Sequence, residues 1–357
     1  MKFTPAITQR TGLSTRQSVT YRAIAILLSV VGTGLVLMLF GLNPVRVFGA
    51  IIEGSMGTPI RIHQMINSAI PLVISTLGII VAFKMKFWNI GGEGQIVMGA
   101  FGAAFVAYRL PDLPQPLLLL LMAVAAAAAG ALWALIPAAF KAKMGTNETI
   151  FTLMMNYIAI LFVTFLQYGP WKDPARAGFP RMPDFSPNAV LPNLFGNNIG
   201  WVIAMILTAF VYVFLSRTKK GYEITVVGES PETARYAGMN IPAIIIVAMA
   251  VSGGLCGLVG MIQASAIEKT LTATISAGYG FTAIITAWLA RLNAIVALFV
   301  CVVFAMLVQG AAFIQLSLGV PAAVAGVVQG TILLFILGSE FFIQFKVRLP
   351  ERRRRTV

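Results

Sequence analysis

Apolar residues in this chain come in long, nearly unbroken runs, without the narrow helical stripes or strict alternation of a water-soluble fold. A helix crossing about 30 Å of hydrocarbon at about 1.5 Å per residue needs roughly 20 mainly apolar residues. The run 117–140 meets that requirement most clearly: it carries no charge and contains the alanine stretch Ala125 to Ala129. Similar runs at 23–42, 64–83, 88–108, 147–169, 200–216, 241–264, 277–290, 294–314 and 321–338 bring the expected number of spans to ten. The pattern predicts an all-α polytopic membrane protein with about ten transmembrane helices. Two runs, 88–108 and 277–290, are the least regular because each opens on a glycine-rich break.

The polar segments divide the chain further. Residues 1–21 form a basic N-terminal segment, 22–340 the transmembrane domain, and 341–357 a basic tail ending in Arg352 to Arg355. The apolar run after the first segment is longer than a signal-peptide core and is read as an uncleaved first span. Two loops are long: 170–199, rich in Pro, Asn and Asp, and 216–240. Within the second, Ser230 is a fitting N-cap, Pro231 suits the first turn, and Gly238 is a stop signal, which predicts a short helix.

Composition agrees with a lipid solvent. Of 357 residues, 58% are hydrophobic and only 11% charged, with a mean hydropathy of +0.87. That excludes an ordinary soluble enzyme and a disordered chain. The net charge of +14 would suggest nucleic acid in a soluble protein. Here the cations lie between spans and at the ends, so they act as topology signals, and no nucleic-acid partner is expected. With the N-terminus inside, 19 of the 26 Lys and Arg fall on the inner side and 7 on the outer. This bias places both termini in the cytoplasm, loop 170–199 outside and loop 216–240 inside. Cys256 and Cys301 lie in apolar runs with no CxxC spacing, and are read as buried free thiols.

Ionisable groups at bilayer depth usually face a cavity or a partner. The string Asn89-Ile90-Gly91-Gly92-Glu93-Gly94-Gln95 puts an acid, two amides and three glycines at the mouth of the third span. Such irregular backbone is tolerated in a membrane only where it is packed in protein or lines a wet cavity. Glu93 has two readings, a pathway group or a cap on neighbouring backbone, and the first is favoured. A second break, with Gly278 and Gly280, opens the eighth span, which runs opposite to the third. Paired breaks of this kind point to a site at mid-depth and to an inverted repeat of two five-helix halves. Asn147 and Glu148 start the fifth span, and Asn156 lies deeper in it. Gln263 and the lone His63 are less specific. No P-loop, HExxH or serine elbow is present, so no catalytic residue, metal or directly bound cofactor is expected.

These motifs also carry a family resemblance. The string from Asn89 to Gln95, Gly145-Thr146-Asn147-Glu148 leading into Met154 to Ala159, the segment Gly228 to Gly238 and Gly278-Tyr279-Gly280-Phe281 resemble ABC-importer permeases of the branched-chain amino acid/ribose type. Among these, the chain is most similar to the nucleoside and simple-sugar subgroup. The resemblance spans residues of about 20 to 340.

It implies a bacterial plasma-membrane permease subunit that moves a nucleoside or simple sugar by alternating access. ATP would act through a separate ATPase subunit, a second homologous permease would complete a heterodimer, and an external binding protein would deliver solute. Asn89, Glu93, Gln95, Asn147, Glu148 and Asn156 are expected to line or gate the pathway, with Gly91, Gly92, Gly94, Gly278 and Gly280 as backbone breaks. Gly228, Glu229, Ser230, Pro231, Ala234, Arg235 and Gly238 are expected to couple to the ATPase, and loop 170–199 to meet the binding protein. The alternatives are an ion-driven secondary transporter using Glu93, and a membrane scaffold that moves no solute. Trp288 stands where relatives of the subgroup carry a smaller residue, which would alter solute preference if its ring faces the pathway.

Overall fold

The computed structural model describes residues 6–9, 15–175, 178, 180–319, 321, 323, 326–327, 330–331, 334 and 345–348. Its helices are α1 (Thr15–Leu39), α2 (Pro44–Met56), α3 (Pro59–Lys84), α4 (Gly92–Arg109), α5 (Gln115–Met144), α6 (Glu148–Tyr168), α7 (Gly200–Arg217), α8 (Lys219–Glu229), α9 (Pro231–Tyr236), α10 (Ile241–Ile262), α11 (Tyr279–Leu289) and α12 (Ala294–Leu318). Four short strands, β1 (Ala6–Gln9), β2 (Asn193–Leu194), β3 (Asn197–Asn198) and β4 (Phe345–Arg348), make two antiparallel pairs, β1 with β4 and β2 with β3.

This is an all-α polytopic membrane protein. Among the described residues six helices are long and apolar enough to cross a bilayer, or seven if the pair α1–α2, bent by 114°, counts as one span. The count falls below ten for physical reasons. The run 88–108 yields an α4 of 18 residues that is long enough but includes the polar Glu93, Gln95 and Arg109, and the run 277–290 yields an α11 of 11 residues. The expected span 321–338 lies largely outside the described residues, as does the arginine tail.

The chain forms two units. In the one spanning Ile62–Ala305, α3 and α10 are the inner helices. The most apolar 18-residue window is 83% buried in α3 and 61% buried in the α10 segment, against 22% in each of α5 and α7. Outer helices therefore keep an apolar face for lipid, while α3 and α10 are enclosed by protein.

Water supplies no hydrophobic drive between helices inside a bilayer, so close van der Waals packing must hold α10 to its neighbours α4 and α5. Small residues make that possible. A Cβ on Gly99 would stand 2.3 Å from Gly257 Cα, one on Gly130 2.3 Å from the Gly253 carbonyl oxygen, and one on Gly260 2.1 Å from the Ile96 carbonyl oxygen. The three backbones touch directly at these points.

In the other unit, Met1–Arg61 with Met306–Val357, α2 crosses the end of α12. Leu37, Val47, Ala50, Ile51 and Ile314 form its buried cluster. The Arg61 guanidinium lies over the Phe313 ring at 4.1 Å and reaches the Glu53 carboxylate at 3.3 Å. Asn43 caps α2, accepting from the Val45 amide at 3.0 Å. The apolar run 23–42 did not reveal α2, because its apolar residues are interrupted by Arg46, Gly49 and Glu53.

The backbone contacts among α4, α5 and α10 make a sharp prediction. Gly257→Leu forces helices apart and should cost roughly 1–3 kcal/mol or more, lowering the thermal midpoint of the detergent-solubilised protein. Gly254→Leu is the matched control, since its added Cβ meets only the Ala127 carbonyl oxygen at 3.6 Å, and it should leave the midpoint nearly unchanged.

Candidate functional site

The two glycine breaks meet. After α3 the chain turns through Lys86, held at φ +57°, and re-enters the protein to start α4. On the far side, the segment after the π-helical turn Gln263–Glu268 runs through Ala277 at φ +45° and Gly278 at φ +80° into α11. Non-glycine residues are thus held in the left-handed region on both sides, Lys86 on the first and Lys269 and Ala277 on the second, a conformation that persists only where surrounding contacts enforce it. The free N-termini of α4 and α11 then come into contact. A Cβ on Gly280 would lie 2.3 Å from the Glu93 amide nitrogen, so only glycine allows this approach.

Glu93 joins the two ends. One carboxyl oxygen accepts from the Gly280 amide at 2.8 Å. It is only 3% exposed, although it belongs to the first turn of α4. Unpaired amides at a helix start need an acceptor, and their partial positive charge favours an acidic group there. Glu93 fills that role for α11 while standing at the start of its own helix.

Amide side chains secure the first break. Asn89 and Gln95 exchange hydrogen bonds: Gln95 Nε2 donates to Asn89 Oδ1 at 3.0 Å, and Asn89 Nδ2 donates to Gln95 Oε1 at 3.2 Å. Asn89 Nδ2 also donates to the Ser252 hydroxyl on α10 at 3.1 Å. From α6, Asn156 clamps the broken strand, accepting from the Gly94 amide at 2.8 Å and donating to the Ile90 carbonyl at 2.9 Å. The Ile90 amide donates to the Thr152 hydroxyl at 3.2 Å. Asn89, Glu93, Gln95 and Asn156 are all buried, and together with Gly91, Gly92, Gly94, Gly278 and Gly280 they form one cluster.

Two predicted residues lie elsewhere. Asn147 caps α6, accepting from the Thr149 amide at 3.0 Å, and Glu148 pairs with Lys141 of α5 at 2.7 Å. Both belong to the α5–α6 connection. Thr152, Ser252 and Ser276 lie beside the cluster but were not legible, since hydroxyls in apolar or loop stretches carry no signal of their partners. Gln263 opens the π turn and is buried.

The described residues of loop 170–199 form a folded cap. Its backbone bonds down onto the second break: the Phe185 amide donates to the Lys269 carbonyl at 2.8 Å, and the Thr270 hydroxyl donates to the Pro183 carbonyl at 2.8 Å. Its own Met182 and Ala189 are fully buried. The β2–β3 turn sits on His63, with Gly196 in contact with the imidazole, and holds Phe195 outward, 82% exposed.

On the other side, residues 216–240 are more ordered than the loop expected for them. Thr218 starts α8, accepting from the Gly221 amide at 3.1 Å, and Gly221, Ile224 and Gly228 give it a buried face at helical spacing. Gly228 lies against the end of α3, where a Cβ would be 2.1 Å from the Lys84 carbonyl oxygen. Ser230 caps α9, accepting from the Thr233 amide at 3.2 Å, with Pro231 in its first turn. Only Ala234 of α9 is buried; Pro231, Arg235 and Tyr236 are exposed, as are Glu229 before it and Gly238, at φ +72°, after it.

A bundle of apolar helices whose centre is built from two broken spans and a buried polar clamp defines a membrane permease. The chain belongs to the branched-chain amino acid transport system / permease component family, whose model matches residues 61–337. It is 31% identical over 334 residues to the glucose ABC transporter permease protein TsgB13 of Haloferax volcanii, covering 90% of this chain and 87% of that protein. The nucleoside ABC transporter permease protein NupB of Lactococcus lactis is 28% identical, covering 92% and 93% respectively. The guanosine ABC transporter permease protein NupP of Bacillus subtilis is also 28% identical, covering 90% and 93%.

The clamp on the first break gives the second prediction. Asn156→Leu strands the Gly94 amide and the Ile90 carbonyl without partners, at a cost of roughly 1–3 kcal/mol for each buried group. The thermal midpoint of the purified protein should fall markedly, whereas Asn147→Ala, which removes an exposed cap, should cost only about 1 kcal/mol.

Proposed function

We propose that the chain is the permease subunit of an ATP-driven importer, forming the pathway for a nucleoside or simple sugar by alternating access. The observation that carries this reading is the meeting of two half-helix N-termini on Glu93. Such a junction has two discrete arrangements, joined and parted, which is what a gate requires. Asn89, Gln95 and Asn156 hold one half-helix in place, and Asn147 and Glu148 fix the nearby α5–α6 turn. That the breaks approach each other from opposite chain directions supports an inverted repeat of two five-helix halves. The relatives' names supply the solute classes.

ATP enters through a partner. The exposed α9, bracketed by Glu229 and Gly238, is the element that docks on a cytoplasmic ATPase, with Arg235 as its charge contact. Gly228 brings α8 against the end of α3, the helix that leads into the first break, so movement at α9 has a short physical route to Glu93. A state favoured by ATP shifts the gate only through different contacts in its two arrangements. The cap 170–199 is the surface for an external binding protein, and a second homologous permease completes the pathway. The β1–β4 pairing supports both termini lying on one side, which the charge bias makes the cytoplasm of a bacterial inner-membrane protein.

Purification of the tagged chain from its native membrane in mild detergent tests this reading. An ATPase and a second permease should co-purify in stoichiometric amounts, and Arg235→Glu should deplete the ATPase while leaving the permease pair intact. A homo-oligomer without any ATPase, still transporting on an ion gradient, would overturn it.

A further inference from the structure

Three aromatic rings gather where the broken spans meet, and the clamp does not use them. Phe83 ends α3, Trp88 lies in the first break, and Trp288 sits about two turns beyond Gly280 along α11. Their ring centroids are 5.4 Å apart for Phe83–Trp88, 5.8 Å for Phe83–Trp288 and 5.8 Å for Trp88–Trp288. Phe83 is buried, but Trp88 is 45% exposed and Trp288 39% exposed. The two indoles, inclined at 33°, are both partly exposed beside a buried phenyl ring.

The surroundings argue for a water-filled mouth. Lys86, two residues before Trp88, and Arg291, three after Trp288, are both exposed. The 85–91 backbone beside the rings is irregular, which lipid does not tolerate. The chemistry narrows the ligand further. The neighbouring amides of Asn89, Gln95 and Asn156 are committed to each other, to Ser252 and to backbone. A flat heteroaromatic ring stacks on an indole π-face more strongly than a sugar does.

Resting on the importer reading above, we propose that Trp88 and Trp288 form a stacking site for the nucleobase ring of the transported solute. Because one indole belongs to each broken span, the site is whole only while α4 and α11 are joined, and it releases the ring when they part. The pair thus selects solutes with a planar ring over sugars alone.

The test uses the full complex, with its ATPase and partner permease, in proteoliposomes. Irradiation with 8-azidoadenosine should label peptides containing Trp88 and Trp288, and excess adenosine, but not glucose, should abolish the label. Trp288→Ala should weaken adenosine uptake roughly tenfold, mainly through KM, with Trp288→Phe restoring most of it. Labelling confined to lipid-facing peptides, or labelling indifferent to adenosine, would show the indoles to be interfacial anchors and overturn the proposal. Wild-type uptake by Trp88→Ala and Trp288→Ala would overturn it as well. A wild-type complex that imports only glucose contradicts the stacking site and leaves the importer reading intact. One that moves no solute on ATP contradicts the importer reading itself.

Discussion

The carboxyl group of Glu93 sits between the free ends of two half-helices, and much of the surrounding structure serves to keep it there. A helix that begins inside protein, away from water, exposes amides that must find acceptors. Here the start of α11 finds one on α4, the other half-helix. That solution requires the two backbones to touch, which only Gly280 permits, and requires α4 to begin at the right depth. The depth is set in turn by the Asn156 clamp and the Asn89–Gln95 pair. Direct backbone contact among α4, α5 and α10 then gives the junction a rigid wall.

The proposed gate follows from the same constraint. A junction held by hydrogen bonds between polar groups in a dry interior is costly to leave half-made. It therefore favours two arrangements over a continuum, and packed interiors of this kind convert small displacements into discrete states. The elements at either end are suited to bias it. The cap bonds directly to the segment leading into α11, and α8 lies on the end of the helix leading into α4.

Much of this was legible in the residues. Hydrophobic runs placed the long helices because bilayer thickness leaves few options, and the glycine strings marked both breaks. Ser230, Pro231 and Gly238 announced α9 through ordinary capping chemistry. The lengths of α4 and α11 were not legible, since hydropathy does not show where a backbone re-enters the protein. Nor was α8, whose buried positions Gly221 and Gly228 have no hydrophobic side chain to signal burial. The partners of Glu93 were hidden for another reason: a contact between residues 93 and 280 depends on packing across the whole bundle. The pairing of the two breaks was suggested by their opposed directions, but the carboxyl that joins them could be read equally as a pathway group or a cap.

The most direct test concerns that carboxyl. It accepts from the Gly280 amide at 2.8 Å and so ties the start of one half-helix to the start of the other. Glu93→Gln keeps the shape but leaves one acceptor oxygen and adds an opposing donor. Uptake by the reconstituted complex should fall by about tenfold or more, as expected for loss of a buried bond to an acidic group, while subunit assembly stays normal. Wild-type uptake by a normally assembled Glu93→Gln complex would contradict the account.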